Sequence, residues 1–217
     1  MKNSIKLALL ALLLCASNPL LSAQEQQAKQ LLDRAALVYN QSDGVSIAFK
    51  ATTYMSSRPQ QGATEGTIDM QGERFVLVTP SMHTFFNGTT QWVYMDAADE
   101  VNISNPSTEE LESINPMLLL QNYSKGYTVV SNKDVSKGNG TKVASVKLTP
   151  HQQGELQSVE IQLDKQTAFP VQMTLSMQND IQMVVTITNL KLNKKYPANY
   201  FTFNASDYPG VEIIDLR

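Results

Sequence analysis

The chain of 217 residues is 42% hydrophobic and 17% charged, a balance that suits a packed globular fold and excludes extended disorder. It carries 17 Lys and Arg against 20 Asp and Glu, and its one basic block is Lys194-Lys195. Nucleic acid and anionic membrane surfaces both need a positive stripe, so the charge excludes them as partners.

The N-terminus reads as an export signal. Residues 1–6 contain Lys2 and Lys6, and residues 7–14 form an apolar run too short to span a bilayer. Leu21-Ser22-Ala23 puts a small residue before a cut, and polar Gln24-Glu25-Gln26-Gln27 follows. The pattern predicts a secretory signal peptide over 1–23, cut near Ala23, and a single domain over 24–217. Cys15, the one cysteine, lies inside the signal. Lipid attachment at Cys15 requires a small preceding residue, whereas Leu14 precedes it; cleavage near Ala23 leaves a mature chain with no cysteine, hence no disulfide, thiolate nucleophile or cysteine metal site. Removing 1–23 takes two of the 17 basic residues and no acid, leaving 15 against 20 and a net charge of −5.

Residues 25–40 predict a helix. Ala28, Leu31, Leu32, Ala35 and Val38 or Tyr39 recur at spacings of three and four. The period then switches to two: Val45, Ile47, Phe49 and Ala51 share one face of a strand. Residues 56–64 are polar, contain Pro59 and Gly62, and read as a loop. Strands are expected over 66–71 and 74–78.

Asn87-Gly88 is a strong hairpin signal, since a type I′ turn needs positive φ at both central residues. A two-residue turn there pairs Phe86 with Thr89, Phe85 with Thr90 and His83 with Trp92. One face of the hairpin carries His83, Phe85, Trp92 and Tyr94; the other carries Met82, Phe86, Val93 and Met95. Both faces are apolar, whereas a sheet with one wet side alternates. Something must cover the second face.

Asp96 to Glu100 read as a turn, and Val101 and Ile103 begin another strand. The composition then changes. Ser107 and Glu110 have the spacing of a capping box, so a short helix is expected to about Ile114. Asn115-Pro116 is a second helix start, followed by Met117-Leu118-Leu119-Leu120 and a stop at Gly126. This apolar tetrad is either core or a lid over an otherwise open sheet face. As a lid, it should tolerate polar residues at Leu118 and Leu119 with weaker cargo binding and a folded sheet.

Strands are predicted over 127–130, 141–149, 158–164, 171–177 and 181–187, with a polar loop over 133–140 and a turn at Asn179-Asp180. Leu190 and Leu192 fall on the opposite parity from Ile187, which predicts a bulge near Asn189. The spacing fits one curved antiparallel sheet.

Little in the chain offers catalysis. His83 and His151 stand in no metal-ligand pattern, and no phosphate-cradling glycine loop or G-x-S-x-G elbow occurs. Asp96, Asp99 and Glu100 cluster beside a turn, as charged turns commonly do; paired carboxylates also serve hydrolases. No cofactor or metal is expected. The chain does have nine methionines, mostly in predicted strands or the helix pair. They either fill a large β core or line a surface that adapts to varied apolar ligands.

Four stretches follow in order behind the signal: Val45-Ser46-Ile47-Ala48-Phe49 after the first helix; Asn87-Gly88-Thr89-Thr90-Gln91-Trp92-Val93-Tyr94; Asn115-Pro116-Met117-Leu118-Leu119-Leu120; and Phe201-Thr202-Phe203 before Tyr208-Pro209-Gly210-Val211-Glu212-Ile213-Ile214. Together they resemble the LolA family of periplasmic outer-membrane lipoprotein carriers, especially its Bacteroides-type branch. The resemblance implies a mainly β (α+β) fold: a single curved antiparallel sheet forming an incomplete β-barrel, covered by an N-terminal helix and a short mid-chain lid. It implies a periplasmic monomer that holds lipoprotein acyl chains without covalent chemistry. Its partners would be an inner-membrane ABC-type lipoprotein-releasing complex and an outer-membrane receptor. Candidate acyl-chain contacts are Phe49, Phe75, Phe85, Trp92, Tyr94, Met117, Leu118, Leu119, Leu120, Met173 and Leu175. The family usually carries Arg-Pro near its third strand, the arginine holding the lid shut. Here Gly72-Glu73-Arg74-Phe75 lacks the proline, which offsets Arg74 from that latch. Two alternatives stand: a lipid sensor or receptor on the same fold, and a secreted hydrolase using Asp96, Asp99 or Glu100.

Overall fold

The computed structural model describes residues 19–55, 58–132, 134–136 and 142–217. Residues 1–18 of the predicted signal peptide, Cys15 included, lie outside the described residues.

The first helix, α1 (Pro19–Gln41), starts earlier than the hydrophobic period predicts. Pro19 opens it, at a position where a missing N–H costs nothing. Its stripe of Ala28, Leu31, Leu32, Ala35 and Tyr39 is buried, and it packs on the strand Tyr127–Ser131 and on the helix Leu119–Gly126.

Among the described residues thirteen strands follow: β1 (Val45–Met55), β2 (Arg58–Gln71), β3 (Arg74–Thr79), β4 (Met82–Phe86), β5 (Gln91–Met95), β6 (Glu100–Ser104), β7 (Tyr127–Ser131), β8 (Val135–Ser136), β9 (Lys142–Pro150), β10 (Leu156–Asp164), β11 (Pro170–Met177), β12 (Ile181–Lys191) and β13 (Glu212–Asp215). They form one sheet in the order β13-β6-β5-β4-β3-β2-β1-β12-β11-β10-β9-β7, with β8 also on β9. The end strands β13 and β7 do not pair, so the barrel stays open, as expected. The sheet is not wholly antiparallel: β13 runs parallel to β6, with Ile213 opposite Val101.

Several local expectations need correction. Residues 58–64 belong to β2 rather than to a loop. There β2 pairs with β1 alone, while β3 joins it from Thr67 onward. Proline and glycine are tolerated on such a one-sided stretch. The polar loop after β7 contains the short strand β8. The β4–β5 turn has four residues, not two: Phe85 faces Trp92 and His83 faces Tyr94. Asn87 does not adopt positive φ; its side-chain Oδ1 accepts from the N–H groups of Thr89 (3.0 Å) and Thr90 (2.9 Å), while Gly88 takes φ +102°. The side chain closes the turn in place of a type I′ backbone. A slip of two residues keeps every side chain on its predicted face. The turn with both central φ positive is at Asn179 (φ 61°) and Asp180 (φ 56°). The predicted bulge is present: Ala48 pairs with Asn189 and Phe49 with Ile187, skipping Thr188.

The second apolar face of the β4–β5 hairpin has a cover, and it is not the helix pair. The chain after β12 crosses the outer side of β1–β6. Tyr208 packs on Tyr94 (ring centroids 4.4 Å) and its hydroxyl lies 3.1 Å from His83 Nδ1, while Phe203 meets Phe85 edge-on at 5.8 Å. Tyr196 and Tyr200 both donate to Asp69, at 3.0 and 2.5 Å. Burial and the Asp69 carboxylate push both phenols above their ordinary pKa. The inner side of the sheet forms the main core with α1 and the helix pair.

Candidate functional site

The helix pair sits over the inner face. Its first member, α2 (Thr108–Ile114), begins at a complete capping box: Ser107 Oγ accepts from Glu110 N–H at 3.3 Å, and Glu110 Oε2 accepts from Ser107 N–H at 2.7 Å. The Ser107 N–H, and the Ser107 hydroxyl donating to the same oxygen at 2.9 Å, hold the Glu110 carboxyl below its usual pKa. Asn115 ends α2 and caps a 3₁₀ turn over Pro116–Leu118, its Oδ1 accepting from Met117 N–H at 3.2 Å. The chain continues into α3 (Leu119–Gly126).

Three polar contacts tie this pair to the frame. The buried Asn115 Nδ2 donates to Met70 Sδ on β2 at 3.3 Å. Glu112, only 5% exposed, accepts from Tyr127 OH on β7 at 2.6 Å and from Asn122 Nδ2 at 3.3 Å. Tyr123 OH donates to Asp33 on α1 at 2.5 Å. Burial, reinforced by the carboxylate each one faces, pushes the Tyr123 and Tyr127 phenols above their ordinary value. Both therefore remain protonated donors at neutral pH.

Between sheet and helix pair lies an apolar cavity of about 240 Å³. Its floor is Ile47, Phe49 and Ala51 of β1, flanked by Thr64 and Ile68 of β2 and by Met183, Val185 and Ile187 of β12. Leu77, Thr79 and Met82 form one wall, Met173 the other, and Ile114, Asn115, Pro116 and Met117 the ceiling. The polar side chains in this lining are Thr64, Thr79 and Asn115, the last already engaged. Four methionines contribute to the lining, which suits a flexible apolar ligand.

Three hollows are larger but chemically different. One, of about 540 Å³, runs beside α1 past Gln27, Gln30, Arg34, Asn132, Asp134 and Lys165. A second, of about 460 Å³, lies past Glu109, Glu112, Asn122, Lys125 and His151, and a third, of about 400 Å³, past Tyr54, Gln157, Ser176, Asp180 and Gln182. All three mix charged or amide side chains with apolar ones; the smaller, almost wholly apolar cavity is the candidate site because its lining, not its size, favours retention of an apolar ligand.

The sequence-chosen residues fall into three groups. Phe49, Met117 and Met173 line the cavity. Phe75, Leu118, Leu119, Leu120 and Leu175 are buried in the core around it. Phe85, Trp92 and Tyr94 lie on the outer face, where Phe203 covers Phe85 and Tyr208 covers Tyr94. Arg74 donates to Gln71 at 2.6 Å and lies over the Phe201 ring at 5.1 Å, so its guanidinium serves the outer face too. The lining residues missed from sequence include Ile47, Ile68, Met82, Met183 and Val185. The period-two pattern that selects Phe49 also selects Ile47 and Ala51, and the same pattern in β12 selects Met183 and Val185.

Two carboxylates beside the 96–100 turn are engaged by neighbouring side chains. Asp99 accepts from Tyr94 OH at 3.2 Å and Glu100 from Asn102 Nδ2 at 3.0 Å. Among the described residues no group of three or more His, Cys, Asp and Glu side chains is placed to hold a metal ion, and no helix is long and apolar enough to cross a membrane.

Residues 20–180 match the sequence profile of a family described as outer membrane lipoprotein carrier protein LolA. No curated protein matches the sequence significantly. Among solved structures, the fold is similar to a conserved protein of Thermus thermophilus, with a TM-score of 0.57 and 10% identity over 87% of this chain and 98% of that one. A LolA superfamily protein of Nitrosomonas europaea aligns with a TM-score of 0.49 and 12% identity, covering 81% of this chain and 97% of that one. At these identities the structural likeness concerns the fold.

Proposed function

The chain belongs to the outer membrane lipoprotein carrier protein family LolA, and from that membership we propose that it is a periplasmic carrier that shields lipoprotein acyl chains in the cavity under its helical lid. The observation that carries this reading is the roughly 240 Å³ apolar cavity with a methionine-rich lining and a separate helical ceiling. An acyl chain in water forfeits about 0.8 kcal/mol per methylene, so transfer between membranes needs such a shelter. The cavity is smaller than the ~300–1,000 Å³ typical of sites that enclose a whole small molecule. In this reading entry of a long chain lifts the ceiling, and the lid returns when the chain leaves. Cargo is received from an inner-membrane ABC-type releasing complex and passed to an outer-membrane acceptor. The carrier performs no covalent chemistry.

Native mass spectrometry of protein purified without detergent from a periplasmic extract tests the proposal. Lipid or lipoprotein should co-purify, and a fluorescent fatty acid should compete for the same site. Protein that is free of lipid and binds no fatty acid would remove the reading.

A further inference from the structure

The cavity exists because its floor is uneven. In one cross-strand row, Ile47 faces Ile68 on one side and Leu190 on the other, and Ile68 faces Leu77. These branched side chains fill their row. The next row holds Phe49, with Gly66 opposite it on β2 and Ile187 on β12. The row beyond holds Ala51 between Thr64 and Val185, with Met173 next to Val185. Gly66, Ala51 and Thr64 are small, and Ala51 and Thr64 border the open volume.

Among the described residues Phe49 is the one aromatic side chain in the cavity lining, and Gly66 leaves the space its ring occupies. A β-carbon at position 66 would come within 2.6 Å of the Val78 carbonyl oxygen on β3, 2.7 Å of Phe49 Cζ and 3.0 Å of its Cε1, so both the neighbouring backbone and the ring require glycine there. The ring therefore lies down across the glycine, in space that any side chain would take. Glycine in a strand interior weakens the strand, and close approach by another group is one reason to find it there. With the ring seated on Gly66, the volume above Ala51 and Thr64 stays open. A ring standing away from that seat would project into the cavity, and a void of about 150 Å³ is already enough to hold a benzene molecule. The ring's position thus governs a large share of the space.

We infer that Phe49, seated on Gly66, sets the length of acyl chain the cavity accepts. This rests on the acyl-carrier reading and adds a specificity determinant to it. Aromatic bulk at position 49 limits how far a chain runs along the floor toward Ala51 and Val185. Removing the ring lengthens the track, and enlarging the ring shortens it.

The test is binding of a homologous series of saturated fatty acids, from octanoate to stearate, to the parent protein and to Phe49→Ala, Phe49→Leu and Phe49→Trp. Displacement of one fluorescent fatty acid gives each affinity, and thermal melts confirm that each variant is folded. Each methylene newly accommodated strengthens binding about fourfold. Phe49→Ala should move the optimum to longer chains by at least two methylenes, changing the ratio of long-chain to short-chain affinity about fifteenfold. Phe49→Leu should move it in the same direction by less, and Phe49→Trp the opposite way. If the folded variants keep the parent's optimum and differ only in overall affinity, Phe49 is plain floor and the inference is wrong while the carrier reading stands. If the parent binds no member of the series, the carrier reading fails, and this inference with it.

Discussion

Met117 and Leu119 are two residues apart in the lid and should fail in different ways. Leu119 is fully buried in the core, so Leu119→Ala loses a complete side chain and leaves a void, at a cost of about 2–5 kcal/mol. For a chain of this size that is a fall in Tm of roughly 4–20 °C. Met117 has the cavity on one side already, and its truncation enlarges an existing space, so the cost lies near ~2 kcal/mol, the low end of the range. Its effect should appear in binding. Losing one ceiling contact, worth about 1–2 kcal/mol, weakens fatty-acid affinity roughly 5–30-fold. Melts followed by circular dichroism, together with titration of a fluorescent fatty acid, separate the two effects. The same bookkeeping reverses the expectation for Leu118 and Leu119 together. Both are buried in the core, and polar residues there forfeit at least ~4–10 kcal/mol, comparable to the whole stability of a domain, so that double variant should not fold. The division of the lid into core and ceiling is refuted if Leu119→Ala melts like the parent, or if Met117→Ala loses as much stability as Leu119→Ala and binds as tightly as the parent.

Two further outcomes follow from the frame around the cavity. The Glu110 carboxyl has its pKa lowered by the Ser107 donors, so its contribution is fully present above the usual glutamate pKa and is lost as pH falls through the lowered folded value; Glu110→Gln should flatten that acid-side part of the Tm-versus-pH curve and leave the alkaline side unchanged. Tyr208→Ala uncovers the outer face of the β4–β5 hairpin and should cost about 1–3 kcal/mol of stability while fatty-acid affinity stays within about twofold; a large loss of affinity in the folded variant would place ligand on the outer face, with Phe85, Trp92 and Tyr94.

Elements fixed by neighbours in sequence were legible. The capping box at Ser107, the cap at Asn115 and the alternation in β1, β10, β11 and β12 each rest on residues a few positions apart, and each lies where the pattern puts it. Features fixed by distant partners were not. The 58–64 stretch is a strand because β1 offers it partners, despite Pro59 and Gly62. Four-residue β13 has no alternation to announce it and exists through pairing with β6. The role of Gly66 is invisible until the register sets it opposite Phe49.

Alternation also left one question open: it says which side chains share a face, but not which face turns inward. For the hairpin at 82–95 the answer follows from the chemistry of the side-chain tips. His83, Trp92 and Tyr94 combine apolar bodies with polar ends, and a buried Tyr or Trp usually needs a hydrogen-bond partner for that end. An apolar cavity supplies few such partners. The outer side supplies them, with Tyr208 OH at His83 and Asp99 at Tyr94. Met82 and Phe86 have no comparable requirement and turn inward, Met82 into the cavity lining and Phe86 against Phe75 in the core. The sequence held this distinction, because the two faces differ in polar tips although both are apolar. The aromatic residues after β12 held the rest of it. Five rings between Tyr196 and Tyr208 need an apolar surface to cover, and the hairpin's polar-tipped face, with Asp69 nearby, is a surface that satisfies both their rings and their hydroxyls.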